Sequence, residues 1–167
     1  MKKTILMALA VSVAIVAGGN KGGDLSKVAK VTTSTKCHLN GTYLEQDTGL
    51  MWQDEHYTPQ EDGAFKNNRS VGKVGNHRYA ATYCRRLNYA GYSDWRLPTK
   101  EELMHVHRIP GQVFVNNRDN DFWSDTPAMG KKYYVVYPAD AYPFERSPKQ
   151  SNYIRCVRCA GVQPVEE

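Results

Sequence analysis

The segment Gly91-Tyr-Ser-Asp-Trp-Arg-Leu-Pro-Thr-Lys-Glu-Glu-Leu103 contains a turn, a Trp-x-Leu step and the start of a helix. Thr99 can cap that helix through its hydroxyl, and Glu102 can reach back to the amide of Thr99, which is the arrangement called a capping box. Pro98 restricts the chain where it enters the helix. We therefore expect Trp95, Thr99 and Glu102 to be structural residues, because the segment contains no obvious nucleophile or base.

The spacing of apolar residues predicts a second helix before this segment. Ala80, Cys84 and Leu87 lie at positions i, i+4 and i+7, so they share one face of a helix over residues 77–87. Cys84 is therefore expected to point into the core. Residues 54–76 are polar and are interrupted by proline and glycines, so we predict a loop there.

Alternating and aromatic-rich runs predict strands on both sides of the helices. Residues 42–53 have the pattern of a β-hairpin, with Gly49 supplying the positive φ of its turn. Trp52 and Trp123 are expected to be structural side chains. The other predicted strands cover residues 122–124, 132–137 and 153–159.

The first 19 residues have the features of a secretory signal peptide. Two lysines precede an uncharged run over residues 4–17, and two glycines follow that run. The run is shorter than the roughly 20 residues that cross a bilayer, so a retained anchor is the less favoured alternative. We predict an exported protein, either periplasmic, at the cell surface or secreted, with no stable membrane insertion after cleavage. A flexible leader (20–36), a folded domain (37–160) and a tail (161–167) follow.

The charge of the chain is mild. Of 22 basic side chains, two belong to the predicted signal peptide, so 20 remain against 17 acidic ones. Both signs are interspersed along the chain, so the basic excess does not form a nucleic-acid footprint. Nucleic acid is therefore not an expected partner.

Four cysteines remain after signal removal, namely Cys37, Cys84, Cys156 and Cys159. An even number in an exported chain predicts two disulfides, with three possible connectivities. The Cys-x-x-Cys spacing at 156–159 also occurs in redox and metal sites. A zinc site would need two more ligands, and only His38 is suggestive, so we predict disulfides, no metal and no cofactor.

Six sequence blocks in order resemble a known family: Thr48-Gly-Leu-Met-Trp-Gln53, Tyr83-Cys84, Gly91–Thr99, Glu102-Leu103, Phe122-Trp-Ser124 and Arg155-Cys-Val-Arg158. Together they resemble a bacterial domain of unknown function that also forms the C-terminal domain of the Legionella collagen-like adhesin. The resemblance covers roughly residues 37–160.

This resemblance implies an α+β, C-type-lectin-like fold: two helices packed on small antiparallel β-sheets, long irregular loops and a disulfide staple. It implies a bond between Cys84 and Cys156, which would leave Cys37 to pair with Cys159. The family is associated with exported and surface proteins, and one member with adhesion to glycosaminoglycans. It has no shared catalytic residues that map onto this chain, so we expect no enzyme.

Two polar clusters invite a metal hypothesis. The run Asn116-Asn-Arg-Asp-Asn-Asp121 offers oxygen ligands for Ca²⁺, but it lacks the spacing of an EF-hand, and a solvated turn is expected instead. His105 and His107 are two residues apart on a helix and project in different directions, so they are expected to be surface or helix-end histidines.

The aromatic stretch from Tyr133 to Tyr153 is the candidate recognition region. Most of its rings are expected to fill a small β core, but Tyr142, Phe144 and Arg146 are predicted ligand-binding residues because they follow the predicted strand. The sequence therefore predicts an exported module that binds a glycan or a surface protein through residues 112–152. The alternative is a structural subunit of a surface or envelope assembly.

Overall fold

A computed structural model describes residues 41–161 of the chain. The predicted signal peptide, the predicted leader and Cys37 lie outside the described residues, as does the tail beyond residue 161. None of the helices within the described range is long and apolar enough to span a membrane.

The described domain combines three helices with two small sheets, which confirms the predicted α+β class. The helices are α1 (Pro59–Lys66), α2 (His77–Arg86) and α3 (Lys100–Arg108), and a short 3-10 turn covers Met129–Lys131. The strands are β1 (Thr42–Glu45), β2 (Leu50–Gln53), β3 (Val74–Gly75), β4 (Phe122–Pro127), β5 (Tyr133–Tyr137), β6 (Tyr142–Arg146), β7 (Asn152–Tyr153) and β8 (Val157–Cys159).

A three-stranded sheet joins the two ends of the domain in the order β1-β2-β8, and both pairs are antiparallel. The β1–β2 hairpin turns at Gly49, whose φ of 68° is a conformation that side-chain-bearing residues rarely adopt. The predicted hairpin is therefore present, with the expected glycine in its turn.

The five-stranded sheet has the order β3-β7-β4-β5-β6 and packs between helices. Neighbouring residues of a strand point to opposite faces, so this sheet contributes to two cores. Phe122 and Val136 pack in one cluster with Leu103 and Val106 of α3. On the other face, the second cluster contains Trp123, Val135, Trp95, Ile154 and the α2 residues Ala80 and Cys84.

A disulfide between Cys84 and Cys156 ties α2 to the segment that connects the two sheets, across a sequence separation of 72 residues. Both cysteines are fully buried. The pairing implied by the family resemblance is thus confirmed for this bond. Cys159 is exposed and forms no disulfide with any residue in the range 41–161, and its predicted partner Cys37 lies outside that range.

The predicted loop over residues 54–76 is wrong, because it contains α1 and β3. Thr58 caps α1 in a capping box: its hydroxyl accepts from the Glu61 amide, and the Glu61 carboxylate accepts from the Thr58 amide. Glu61 is 3% exposed, and its Oε1 lies 3.1 Å from Lys73 Nζ. A buried ion pair therefore anchors this polar helix, which has no strong apolar stripe to reveal it in the sequence. The domain has three helices, whereas two were expected.

The single strand predicted over residues 153–159 is also wrong. β7 and β8 belong to different sheets, and the chain crosses from one to the other at residues 154–156. The Ile154 amide donates to the carbonyl of Lys73, and the Cys156 carbonyl accepts from the amide of Gln53. Every residue from 151 to 158 is buried, so the alternation of faces that a single strand requires is lost.

Candidate ligand-binding surface

The three tryptophans and the capping pair predicted to be structural lie within the scaffold. Trp52 and Trp123 have no exposed surface, and Trp95 is 2% exposed. Thr99 caps α3 in a capping box with Glu102, whose carboxylate also makes two bonds to Arg96, at 2.7 and 2.8 Å. The three tryptophans therefore lie in the core, and the Thr99–Glu102 pair holds the start of α3.

The run from Asn116 to Asp121 is an irregular segment of exposed and half-buried residues whose start is tied to the domain. The carboxylate of Asp54 accepts from the amides of Val115 and Asn116, at 2.8 and 3.0 Å. Arg118 pairs with Asp62 at 2.9 Å. These contacts fix the start of the run to the domain, and the described residues contain no cluster of three or more His, Cys, Asp or Glu that could hold a metal.

Both histidines of α3 lie in its last turn, as expected, but they differ in burial. His105 is more than half exposed, and its Nε2 lies 2.7 Å from Glu45 Oε1, an ion pair when the imidazole is protonated. His107 is not a surface residue: its ring packs against Phe114, with centroids 5.6 Å apart, and its Nε2 is buried without a hydrogen-bond partner among the described residues. Burial, with a smaller effect from the nearby Arg155 charge, lowers the pKa of His107 to about 3.

The predicted ligand-binding residues Tyr142, Phe144 and Arg146 follow the predicted strand, here β5, and lie on a further strand, β6, that the sequence analysis did not predict. They occupy alternate positions and therefore share one face of the strand. Tyr142 is 57% exposed and Phe144 is 37% exposed, and their ring centroids are 5.0 Å apart. The guanidinium carbon of Arg146 lies 5.2 Å from the Phe144 ring centroid. We call these three residues the β6 surface.

β6 lies at the edge of the five-stranded sheet and pairs with β5. Pro143, the second residue of β6, has no N–H to donate, and proline is tolerated in an edge strand where its nitrogen faces solvent. The outer edge of β6 therefore lacks a donor that a second strand would need. This favours recognition through side chains over the addition of another strand.

A polar cleft of about 460 Å³ adjoins the β6 surface and shares Arg146 with it. It is lined by Phe65, Asn68, Asn120, Asp121, Arg146 and residues 150–152. These residues come from α1 and its C-terminal end, the segment before β4, the end of β6, and the start of β7 with the two residues before it. Sequence reasoning singled out Arg146 as a candidate ligand-binding residue, but it missed the cleft. The sequence signal that could have indicated the cleft is the high content of asparagine and glutamine in three separate segments.

Hydrogen bonds hold the walls of this cleft in place. Arg146 donates to Asp121 Oδ2 through Nε at 2.9 Å, and its Nη2 lies 2.7 Å from the same oxygen. The Ser151 amide donates to Asn68 Oδ1 at 2.6 Å, and the Ser151 hydroxyl donates to the Arg69 carbonyl. Asn152, which is 4% exposed, has a buried side-chain nitrogen with no hydrogen-bond partner among residues 41–161.

Three layers, formed by α2, the five-stranded sheet and α3, together with the second sheet and the buried disulfide define a C-type-lectin-like domain. The chain belongs to the Lcl C-terminal domain family, whose match covers residues 41–158. This is a family of lectin-like, non-catalytic domains. No match was found among curated proteins. The disulfide and the family both fit an exported protein.

Proposed function

We propose that the protein is a binding module of the cell envelope or cell surface that recognises a glycan or a protein ligand through the β6 surface, without catalysing a reaction. The observation that carries this proposal is the exposed Tyr142–Phe144 pair. Both rings have more than a third of their surface in water, and adjacent exposed apolar groups are a feature of interaction sites. Rigid aromatic rings provide contact area at a low entropy cost, and they stack on the apolar face of a sugar or on a protein side chain.

The neighbouring charges support a prearranged surface. Arg146 is held by Asp121, so its guanidinium stays beside the Phe144 ring before any ligand binds. A side chain that is already ordered loses less entropy on binding. The rival proposal, a structural subunit joined through exposed strands, receives less support because Pro143 interrupts the outer edge of β6.

A glycan array and a panel of envelope proteins, probed with the purified chain, test this proposal. Tyr142→Ala and Phe144→Ala are each expected to weaken binding of the selected ligand about tenfold or more, because each removes an exposed aromatic anchor. Tyr92→Ala is the matched control, since Tyr92 is also an exposed ring, at 40%, and lies away from the β6 surface. Binding that survives both β6 variants would overturn the proposal. An obligate polymer in sedimentation that persists in both variants would support the structural subunit instead.

A further inference from the structure

The outer face of α2 carries three arginines without a counter-charge. Arg78, Arg85 and Arg86 are exposed, and none of them forms an ion pair or a side-chain hydrogen bond within the described part of the chain. α2 contains no acidic residue to compensate them. Glu55, on the segment beside α2, pairs with the Lys73 ammonium at 3.4 Å. This face therefore has an uncompensated positive charge.

The stability of the helix explains only part of this charge. Arg85 and Arg86 lie in the last turn of α2, where the helix dipole favours a cation. Arg78 is the second residue of the same helix, and the first turn contains no acidic side chain. The dipole opposes a cation at that end, so Arg78 does not stabilise the helix. Its charge is available to a partner.

The three arginines surround one position on this face. Residues three and four apart on a helix are neighbours, so Thr82 lies beside Arg78 and Tyr79 in one direction. It lies beside Arg85 and Arg86 in the other direction. The Thr82 hydroxyl donates to the Arg78 carbonyl at 2.9 Å. Guanidinium groups therefore lie on both sides of Thr82 along the helix.

A mainly apolar groove of about 310 Å³ adjoins these charges. It is lined by Tyr79, Thr82, Tyr83, Arg86, Leu87 and Asn88. The rings of Tyr79 and Tyr83 are stacked, with centroids 6.4 Å apart, and both side chains are half-buried. Tyrosine and arginine are enriched among the residues that carry most of the binding energy of protein interfaces. The groove and the arginines together have that composition.

This surface is held in place before any partner binds. The buried disulfide between Cys84 and Cys156 fixes α2 to the segment between the two sheets. The Tyr83 hydroxyl accepts from Gln53 Nε2 at 3.1 Å, which fixes the ring against the end of β2. A surface that is already ordered loses less entropy on binding.

We propose that the outer face of α2 is a docking surface for an acidic segment of a partner protein. One aromatic or aliphatic side chain of that segment occupies the groove, and its carboxylates pair with Arg78, Arg85 and Arg86. Carboxylates match guanidinium groups in geometry as well as in charge. A sulfated polysaccharide or a phospholipid headgroup has no apolar side chain for the groove. The inference goes beyond the proposed function, because this surface shares no residue with the β6 surface.

The test is a titration of the ¹⁵N-labelled chain with an eight-residue peptide that has Leu-Phe at its centre and three acidic residues on each side. Saturable shifts are expected in the backbone amides of residues 78–88. Two comparison peptides replace either the central pair or the acidic residues by serine, and each is expected to bind about tenfold more weakly. The absence of saturable shifts in residues 78–88, or equal binding of the serine-centred peptide, would overturn the inference.

Two polyanions without apolar side chains separate protein recognition from simple attraction of negative charge. A heparin fragment and vesicles of phosphatidylglycerol are each used to compete with the labelled peptide. Both are expected to displace it poorly. Displacement by either at a lower concentration of charged groups than the unlabelled peptide requires would also overturn the proposal.

Variants of the exposed arginines keep the test independent of folding. Arg78→Gln and Arg86→Gln are each expected to weaken peptide binding about tenfold, through the loss of one charged contact. The helix dipole opposes a cation at Arg78 and favours one at Arg86, so the free energy of unfolding should change in opposite directions while binding falls in both variants.

Arg108→Gln is the matched control, since Arg108 is also an exposed arginine in the last turn of a helix. Its peptide affinity is expected to equal that of the parent chain. Peptide affinity that is unchanged in the two folded α2 variants, or that falls equally in the control, would contradict a site on α2.

Discussion

Arg155 places a full positive charge inside the core, with 1% of its surface exposed. Its Nη1 donates to the Gln53 carbonyl at 2.8 Å and to Asp54 Oδ1 at 3.0 Å, and its Nη2 donates to the Asn116 carbonyl. The guanidinium carbon lies 3.8 Å from the Phe114 ring centroid. One side chain thus joins the end of β2, residues 114–116 and the segment that crosses between the sheets. A lysine ammonium lacks the planar set of donors that makes these contacts at once.

His107 lies close enough to Arg155 for this charge to influence it, which predicts a pH dependence. The folded pKa of His107 is about 3, against an ordinary value of 6.5. Between these values the unfolded chain holds a proton at His107 that the folded chain does not hold, so stability falls as the pH falls. The expected contribution is about 1.4 kcal/mol per pH unit for this single group, and it is complete near pH 3.

Urea unfolding of the parent chain and of His107→Leu at pH 6.5, 5.5 and 4.5 measures this contribution. The variant is expected to lose less stability than the parent as the pH falls over this interval, because its unfolding no longer includes the uptake of a proton by His107. His105→Gln is the control, since His105 is largely exposed and bonded at its edge to Glu45. Equal pH slopes in His107→Leu and the parent would show that His107 is not buried in its neutral form. His77, whose pKa burial also lowers, should leave a residual slope in both proteins.

At the scale of elements, α1 and α3 begin in the same way and are held differently. Both start at a threonine capping box, formed by Thr58 with Glu61 and by Thr99 with Glu102. α3 also presents Leu103 and Val106 to the core. α1 depends on Glu61, which accepts from the Thr58 and Lys73 amides at 2.7 and 2.6 Å and pairs with the buried Lys73 ammonium.

This difference predicts unequal costs for the two glutamates. Glu61→Ala is expected to lower the free energy of unfolding by about 3 kcal/mol, because it removes the closest partner of a buried charge. Thr58→Ala should cost only about 1 kcal/mol, the usual effect of a lost helix cap. Chemical unfolding at pH 7 measures both, with Glu102→Ala as the control, since Glu102 also forms a capping box but pairs with the more exposed Arg96. A Glu61→Ala cost no larger than that of Glu102→Ala would show that the Lys73 pair does not anchor α1.

At the scale of the whole molecule, a disulfide and a buried arginine both hold the segment in which the chain crosses from β7 to β8. The buried disulfide fixes α2 to Cys156. The neighbouring Arg155 donates to the carbonyl of Asn116. The two sheets are therefore tied together where the chain passes from β7 to β8. Cys159, three residues on, is exposed at the end of β8, opposite Leu50.

Removing the Cys84–Cys156 bond in a double serine variant is expected to cost about 2–5 kcal/mol, because the unfolded chain gains the freedom of a long loop. Peptide mapping without reduction should recover this pair in the purified protein. It is also the measurement that decides the predicted Cys37–Cys159 bond. A Cys156–Cys159 bridge would contradict both pairings, and a free Cys159 thiol would contradict the second.

Several features of this domain follow from the sequence because their causes lie within a few residues of one another. The capping box at Thr99 needs only Glu102 three positions on, and the hairpin needs only Gly49 at its turn. The helix at 77–87 is visible in the spacing of Ala80 and Cys84, and it is observed as His77–Arg86. The same local signal existed for α1, in Thr58-Pro59 and Glu61, but its polar face gave no period by which to recognise a helix.

Tertiary structure alone decided how distant segments meet. Residues 153–159 were predicted as one strand because a local pattern cannot show that Tyr153 pairs with Val74 while Val157 pairs with Trp52 in another sheet. The polar cleft arises in the same way, since Asn68 and Ser151 are 83 positions apart in sequence and bonded at 2.6 Å. Such contacts depend on the packing of whole layers around a buried charge and a disulfide, and a window of neighbouring residues contains none of that information.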